Sequence, residues 1–144
     1  MEQVRSSDNK TVVMADDDAD DCMLAREAFT ASGVRASFAC VEDGIELLDY
    51  LTQICAPGKN DLPALILLDL NMPRKDGRAA LVEIKSQPLL KSIPIVILTT
   101  SGEQRDIEFA TRAGADAFIT KPDSFDKWVE MMKSLAKTWL SSEQ

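Results

Sequence analysis

The chain has no histidine among its 144 residues. That excludes histidine general bases, histidine metal ligands and Ser/His/Asp catalysis. Cysteine is scarce: Cys22, Cys40 and Cys55 are odd in number and far apart. They form no metal-ligand spacing and no disulfide framework, so a reducing cytoplasm is the expected compartment. No apolar run approaches the roughly 20 residues that span a bilayer. Residues 1–9 lack the apolar centre of a signal peptide and read as a short disordered tail. Positive charge is in deficit: 16 Lys and Arg stand against 24 Asp and Glu, a net charge of −8. An acidic protein repels phosphate backbones, so neither nucleic acid nor a membrane is an expected partner.

What is present is a set of short apolar runs that stop at polar residues. Leu65-Ile66-Leu67-Leu68 ends at Asp69 and is followed by Asn71-Met72-Pro73. A continuous run of this length reads as a strand buried on both faces, as in a parallel sheet. Thr11 to Ala15 ends in Asp16-Asp17-Asp18, Arg35 to Val41 gives a second strand, and Ile95 to Leu98 ends in Thr99-Thr100-Ser101. A fifth strand, Asp116 to Ile119, precedes Thr120-Lys121-Pro122.

Helix patterns lie between the runs. Asp18 is placed to cap the first helix, with Asp20 and Asp21 suiting the positive end of its dipole and Ser32-Gly33 stopping it. Asp43 with Glu46 forms a capping box for the second, and Ser101 with Gln104 forms one for the fourth. Arg78 to Gln87 is the third helix, stopped by Pro88 and preceded by the turn residues Asp76-Gly77. Cys55 to Pro63 is a loop, and Ser124 to Leu140 is the last helix. Strands alternating with helices predict an α/β fold with a parallel sheet covered on both faces, in one domain over residues 10–144.

In such sheets chemistry gathers beyond the carboxyl ends of the strands. There the pattern delivers Asp16, Asp17, Asp69, Thr99 and Lys121. Three crowded carboxylates repel one another, and a hard divalent cation relieves this; Mg²⁺ takes one or two carboxylates and leaves room for a phosphate. A hydroxyl and an ammonium beside them suit an incoming phosphoryl group, with Asp69 as a nucleophile that becomes an acyl phosphate. Taken singly, each piece has a plainer reading. Acidic residues at a strand end are commonly solvated caps, and Lys-Pro and Thr-Thr are common loop dipeptides.

Taken together, Asp16-Asp17, Asp69-Leu70-Asn71-Met72-Pro73-Arg74-Lys75-Asp76-Gly77, Leu98-Thr99 and Lys121-Pro122 resemble the receiver domain of bacterial response regulators. The resemblance covers about residues 10–140. It extends to single-domain receivers, including those partnered with bacterial phytochromes. It implies a flavodoxin-like three-layer sandwich with strand order 2-1-3-4-5 and five helices. It also implies that Asp69 accepts a phosphoryl group from a phosphohistidine on a sensor histidine kinase, a phytochrome-type kinase being one candidate. Asp17 and Asp69 would hold Mg²⁺ by their side chains, Asn71 by its backbone carbonyl, and Asp16 through a metal-bound water. A shift of the acidic pair to Asp17-Asp18 would put Asp16 inside the strand. Lys121 would pair with the phosphoryl oxygens, before a cis Pro122 peptide, and Thr99 would hydrogen-bond the phosphoryl group.

Phe118 matches the family's aromatic switch position and is equally a core residue; the two are compatible. Arg74 and Lys75 suit either an acidic kinase surface or simple solubility. The cysteines read as small fillers. The last helix has a wide apolar stripe including Trp128 and Trp139. It either wraps into the core or serves a partner, a homodimer through the last strand and helix fitting the second case.

The favoured function is a stand-alone phosphoacceptor that changes its contacts with a downstream protein target, and not an enzyme beyond its own phosphoryl transfer and self-dephosphorylation. Two alternatives differ in class. A degenerate receiver would act as a phosphorylation-independent scaffold, which the intact Asp17, Asp69, Thr99 and Lys121 argue against. A Mg²⁺-dependent phosphatase of the haloacid dehalogenase type would want an aspartate two residues after its nucleophile, where this chain has Asn71.

Overall fold

The computed structural model describes residues 10–54, 62–72, 76–100 and 102–140. Five strands, β1 (Thr11–Ala15), β2 (Ser37–Val41), β3 (Leu65–Leu68), β4 (Ile95–Thr99) and β5 (Ala117–Thr120), form one sheet in the order β2-β1-β3-β4-β5. Every pairing is parallel. The helices are α1 (Ala19–Ala31), α2 (Gly44–Ile54), α3 (Gly77–Ser86), α4 (Gln104–Ala113) and α5 (Phe125–Leu135), the last continued by a π turn over Ala136–Leu140. This is the flavodoxin-like sandwich that the alternating pattern and the resemblance imply.

Burial follows position in the sheet. The central strands β1, β3 and β4 are nearly all buried, as their unbroken apolar runs require, whereas β2 and β5 are edge strands and only half-buried. Successive side chains leave opposite faces. Val13, Ile66 and Ile97 therefore join the core under α2, α3 and α4, while Met14, Leu67 and Leu98 join the core under α1 and α5. Most of the last helix's stripe is spent here. Trp128, Met132, Leu135 and Leu140 are buried, and Val129, Met131 and Trp139 pack partly against them. The Lys10 ammonium donates to the Leu140 carbonyl at 3.0 Å and ties the end of the π turn to the start of β1.

Most of the cap chemistry holds. Asp18 Oδ1 accepts from the backbone of Asp20 and Asp21, Asp76 Oδ1 from Ala79, and Ser124 from Lys127. Asp43 Oδ1 accepts from Glu46 N at 2.9 Å, and the Glu46 carboxylate reaches back to Glu42 N, one residue before the expected position. At α4 the expected cap, Ser101, lies outside the described residues. The N-cap of α4 is Glu103, without a side-chain cap bond, so Gln104 is the first helical residue, where a box would need it third.

The Lys121–Pro122 peptide is trans, against the implied cis form; trans is the intrinsically favoured isomer even before proline. Cys22 of α1 and Cys40 of β2 are half-buried. A hydrogen bond to Cys40, together with burial, pushes the Cys22 thiol well above the ordinary range, consistent with an inert filler. The expectations for residues 1–9, Cys55, the loop up to Asp61, Pro73, Arg74, Lys75 and Ser101 lie outside the described residues.

Candidate functional site

Parallel strands end on one edge, and the loops after β1, β3, β4 and β5 line a cleft of about 520 Å³ there. Asp16 follows β1, with its N–H donating to the Val41 carbonyl at 3.0 Å. Asp69 follows β3, with its N–H donating to the Ala15 carbonyl at 3.0 Å, so the two acids are held by sheet-like backbone bonds. Asp69 Oδ1 accepts from Asn71 N at 3.0 Å and Asp16 Oδ1 from Asp18 N at 2.9 Å; each carboxylate thus shapes its own loop. Lys121 follows β5, and its N–H donates to the Thr99 carbonyl at 2.9 Å.

The Lys121 ammonium sits among three carboxylates. Its Nζ is 2.6 Å from Asp21 Oδ2, 2.7 Å from Asp16 Oδ2 and 3.3 Å from Asp69 Oδ2. Burial works against its charge, but the contacts with the Asp16 and Asp21 carboxylates outweigh burial and hold the ammonium well above the ordinary lysine range. Asp16 moves the other way. Burial pushes its carboxyl up to about 6 despite the lysine. Its Oδ2 is fully enclosed yet accepts no well-directed hydrogen bond, so its contact with Lys121 is ionic.

The donor set fits a hard divalent cation. Asp16, Asp17 and Asp69 each offer a carboxylate oxygen, all within 4.8 Å of one another, and Asp16 Oδ2 lacks a directed partner. No softer ligand lies in the cluster, which suits Mg²⁺ or Mn²⁺ rather than zinc. Asp18 is the exposed cap of α1, pointing its carboxylate at backbone N–H groups, so the cluster uses Asp16 and Asp17 rather than Asp17 and Asp18.

A pH dependence follows. The Asp16 pKa is raised in the folded state, so its contribution to folding is fully present below about 3.8 and is lost as pH rises through about 6. Cation binding needs the ionised form and runs the opposite way. Calorimetric titration with Mg²⁺ is expected to show affinity rising between pH 5 and 7. Asp16→Asn is expected to weaken binding and flatten that rise.

The expected residues Asp16, Asp17, Asp69, Asn71 and Lys121 all line the cleft. Thr99 does not: it is fully buried at the end of β4, on the face of Ile95 and Ile97, and Thr100 supplies the wall. Phe118 lies half-buried on β5, against the core beneath α4.

Three features have no counterpart in the sequence reading. Asp21, assigned only to the helix dipole, binds Lys121. Gly77 lies so close to the loop after β3 that a Cβ there would meet the Asp69 carbonyl oxygen at 2.1 Å. Arg78 donates to the Leu70 carbonyl at 3.3 Å, to Asn71 Oδ1 at 3.4 Å and to the buried Asp106 of α4 at 2.9 Å, tying the Asp69 loop to α4. The Asp-Gly-Arg run was the available signal for the last two.

The chain is similar to known proteins. The family described as response regulator receiver domain matches residues 12–133. The chain is 32% identical to the response regulator Rcp1 of Synechocystis over 137 residues, covering 95% of this chain and 93% of the relative. The crystal structure of the phosphorylated cyanobacterial phytochrome response regulator RcpA superposes with a TM-score of 0.82 at 37% identity, covering 94% and 96% of the two chains. The Mn²⁺-bound form of Rcp1 gives 0.79 at 31% identity over 94% and 97%. No helix among the described residues is long and apolar enough to cross a membrane.

Proposed function

The chain belongs to the response regulator receiver domain family, and from that premise we propose a phosphoacceptor of a two-component relay in the cytoplasm. Asp69 receives a phosphoryl group from a phosphohistidine of a sensor histidine kinase. The relatives named for phytochrome signalling make a phytochrome-type kinase the favoured donor. The observation that carries the reading is the Asp69 carboxylate, held at a strand end by its backbone, beside two further carboxylates and 3.3 Å from an ammonium.

In the transfer an Asp69 oxygen bonds to phosphorus, the phosphorus–nitrogen bond breaks, and the departing imidazole takes up a proton. Asp17 and Asp69 would hold Mg²⁺ by their side chains, Asn71 by its carbonyl and Asp16 through water. When bound, the ion neutralises charge on the transferring phosphoryl oxygens. Lys121 supplies a positive charge on the other side of those oxygens. The buried Asp16 carboxylate holds Lys121 in place.

Phosphorylation adds about −1.5 to −2 charges and new acceptor oxygens to the cleft. Thr99, buried one residue behind the wall, is drawn toward those acceptors, and the loop after β4 moves with it. Space opens beside β5 for Phe118 to turn inward. The downstream protein target reads this change. The half-buried apolar residues of the edge strand β5 support a homodimer through β5 and α5 as one form of output.

Incubation with Mg²⁺ and acetyl phosphate, followed by intact mass, tests the reading. A gain of one phosphoryl group, stable in acid, labile in base and absent from Asp69→Asn, is expected. An unmodified wild-type protein in the presence of both Mg²⁺ and an active phosphorylated kinase would overturn it.

A further inference from the structure

We propose that Asp21 is a positioning residue for Lys121: it holds the ammonium on the α1 side of the cleft, away from Asp69, until a phosphoryl group draws it across. The inference rests on the phosphoacceptor reading and adds to it the residue that sets how readily Lys121 is released.

Four observations carry it. Lys121 Nζ lies within 3.3 Å of three carboxylate oxygens, so a phosphoryl oxygen has to compete with them for the ammonium. Asp21 makes the shortest of these contacts, at 2.6 Å, and Asp69 the longest, at 3.3 Å. Asp21 is not part of the carboxylate cluster that fits the cation, so its charge stays with Lys121 when Asp16 and Asp69 are engaged there.

The fourth is solvent. The Asp21 side chain is 23% exposed and that of Asp16 only 1%. Water can take the ammonium's place at Asp21 and cannot at Asp16, so the Asp21 bond is the one that opens at least cost. The first turn of α1 keeps Asp21 in place, since the Asp18 carboxylate caps the backbone N–H groups of both Asp20 and Asp21.

Asp21→Asn removes the competing charge and keeps the shape. At saturating Mg²⁺ and limiting acetyl phosphate, its phosphoryl uptake by intact mass is expected to be about fivefold faster than wild type. Asp21→Glu, which keeps the carboxylate, is expected to bring the rate back toward wild type. Asp20→Asn makes the same charge change one residue away, on an exposed side chain, and is expected to leave the rate within about twofold. Uptake in Asp21→Asn that is unchanged or slower overturns the inference, as does equal acceleration in Asp20→Asn.

A second readout needs no phosphodonor. In crystals of Asp21→Asn grown with Mg²⁺, Lys121 Nζ is expected to close on Asp69; an ammonium that keeps its wild-type position overturns the inference. If the wild-type protein takes up no phosphoryl group, the phosphoacceptor reading fails, and the crystal comparison still decides the role of Asp21.

Discussion

Replacing Gly77 with alanine is expected to abolish most phosphoryl uptake and to destabilise the fold by about 3 kcal/mol. Conformational freedom is not the reason; crowding is. An added Cβ would stand 2.1 Å from the Asp69 carbonyl oxygen and 2.7 Å from Leu70 Cα, both backbone atoms that cannot rotate away. The Gly77 N–H also donates to the Leu70 carbonyl at 3.0 Å, which clamps the start of α3 against the Asp69 loop. Relief therefore requires moving α3 outward or moving Asp69 and Leu70. The first breaks the clamp and loosens the buried Ala80, Leu81 and Ile84. The second pulls Asp69 from its bond to Ala15 and displaces the carboxylate.

A displacement of about 1 Å at a reacting group can cost about a hundredfold in rate. Urea denaturation reads the stability, and acetyl phosphate labelling reads the chemistry. Wild-type values in both would mean that the Asp69 loop is far more compliant than its packing implies.

Lys121→Met is expected to move two properties in opposite directions. Removing the ammonium leaves Asp16, Asp21 and Asp69 facing one another without a counter-charge, two of them nearly enclosed. In metal-free buffer at pH 7 this is expected to cost about 2–4 kcal/mol of stability. The loss shrinks toward pH 5, because Asp16 already takes up a proton near pH 6 and does so more readily once the lysine is gone. The same vacated charge strengthens cation binding, so Mg²⁺ affinity is expected to rise by about tenfold. Phosphoryl uptake falls despite tighter metal, because no side-chain positive charge remains on the far side of the phosphoryl oxygens. Calorimetry and labelling on one preparation separate the two effects. If affinity and uptake fell together, Lys121 would be supporting the structure of the cleft rather than its electrostatics.

How far the sequence carries can be judged residue by residue. β3 and Asp69 were legible because a strand buried on both faces must be continuously apolar, and its abrupt end in a charge marks the sheet edge. Once alternation implied parallel strands, Asp16, Asp17, Asp69 and Lys121 had to arrive at the same edge. What stayed hidden depends on distances that no local pattern encodes. The Asp21–Lys121 bond joins residues 100 apart and exists only because the first turn of α1 faces the end of β5.

Gly77 looked like an ordinary turn residue, since its constraint is another segment's backbone. Arg78 and Asp106 meet across two helices. The placement of Thr99 behind Thr100 turns on where β4 ends, and a one-residue change there exchanges the side chain that faces the cleft. At α4 the signal for a capping box was present, but Glu103 stands at the N-cap.

The account stands on Asp69 becoming an acyl phosphate, and borohydride reduction tests this at the atom concerned. The reagent converts an aspartyl phosphate to homoserine, which peptide mass mapping can place. After treatment with Mg²⁺ and acetyl phosphate, homoserine is expected at position 69 alone, and nowhere when the cation is chelated. Homoserine at another aspartate, or none in a sample whose intact mass shows the phosphoryl group, would contradict the assignment.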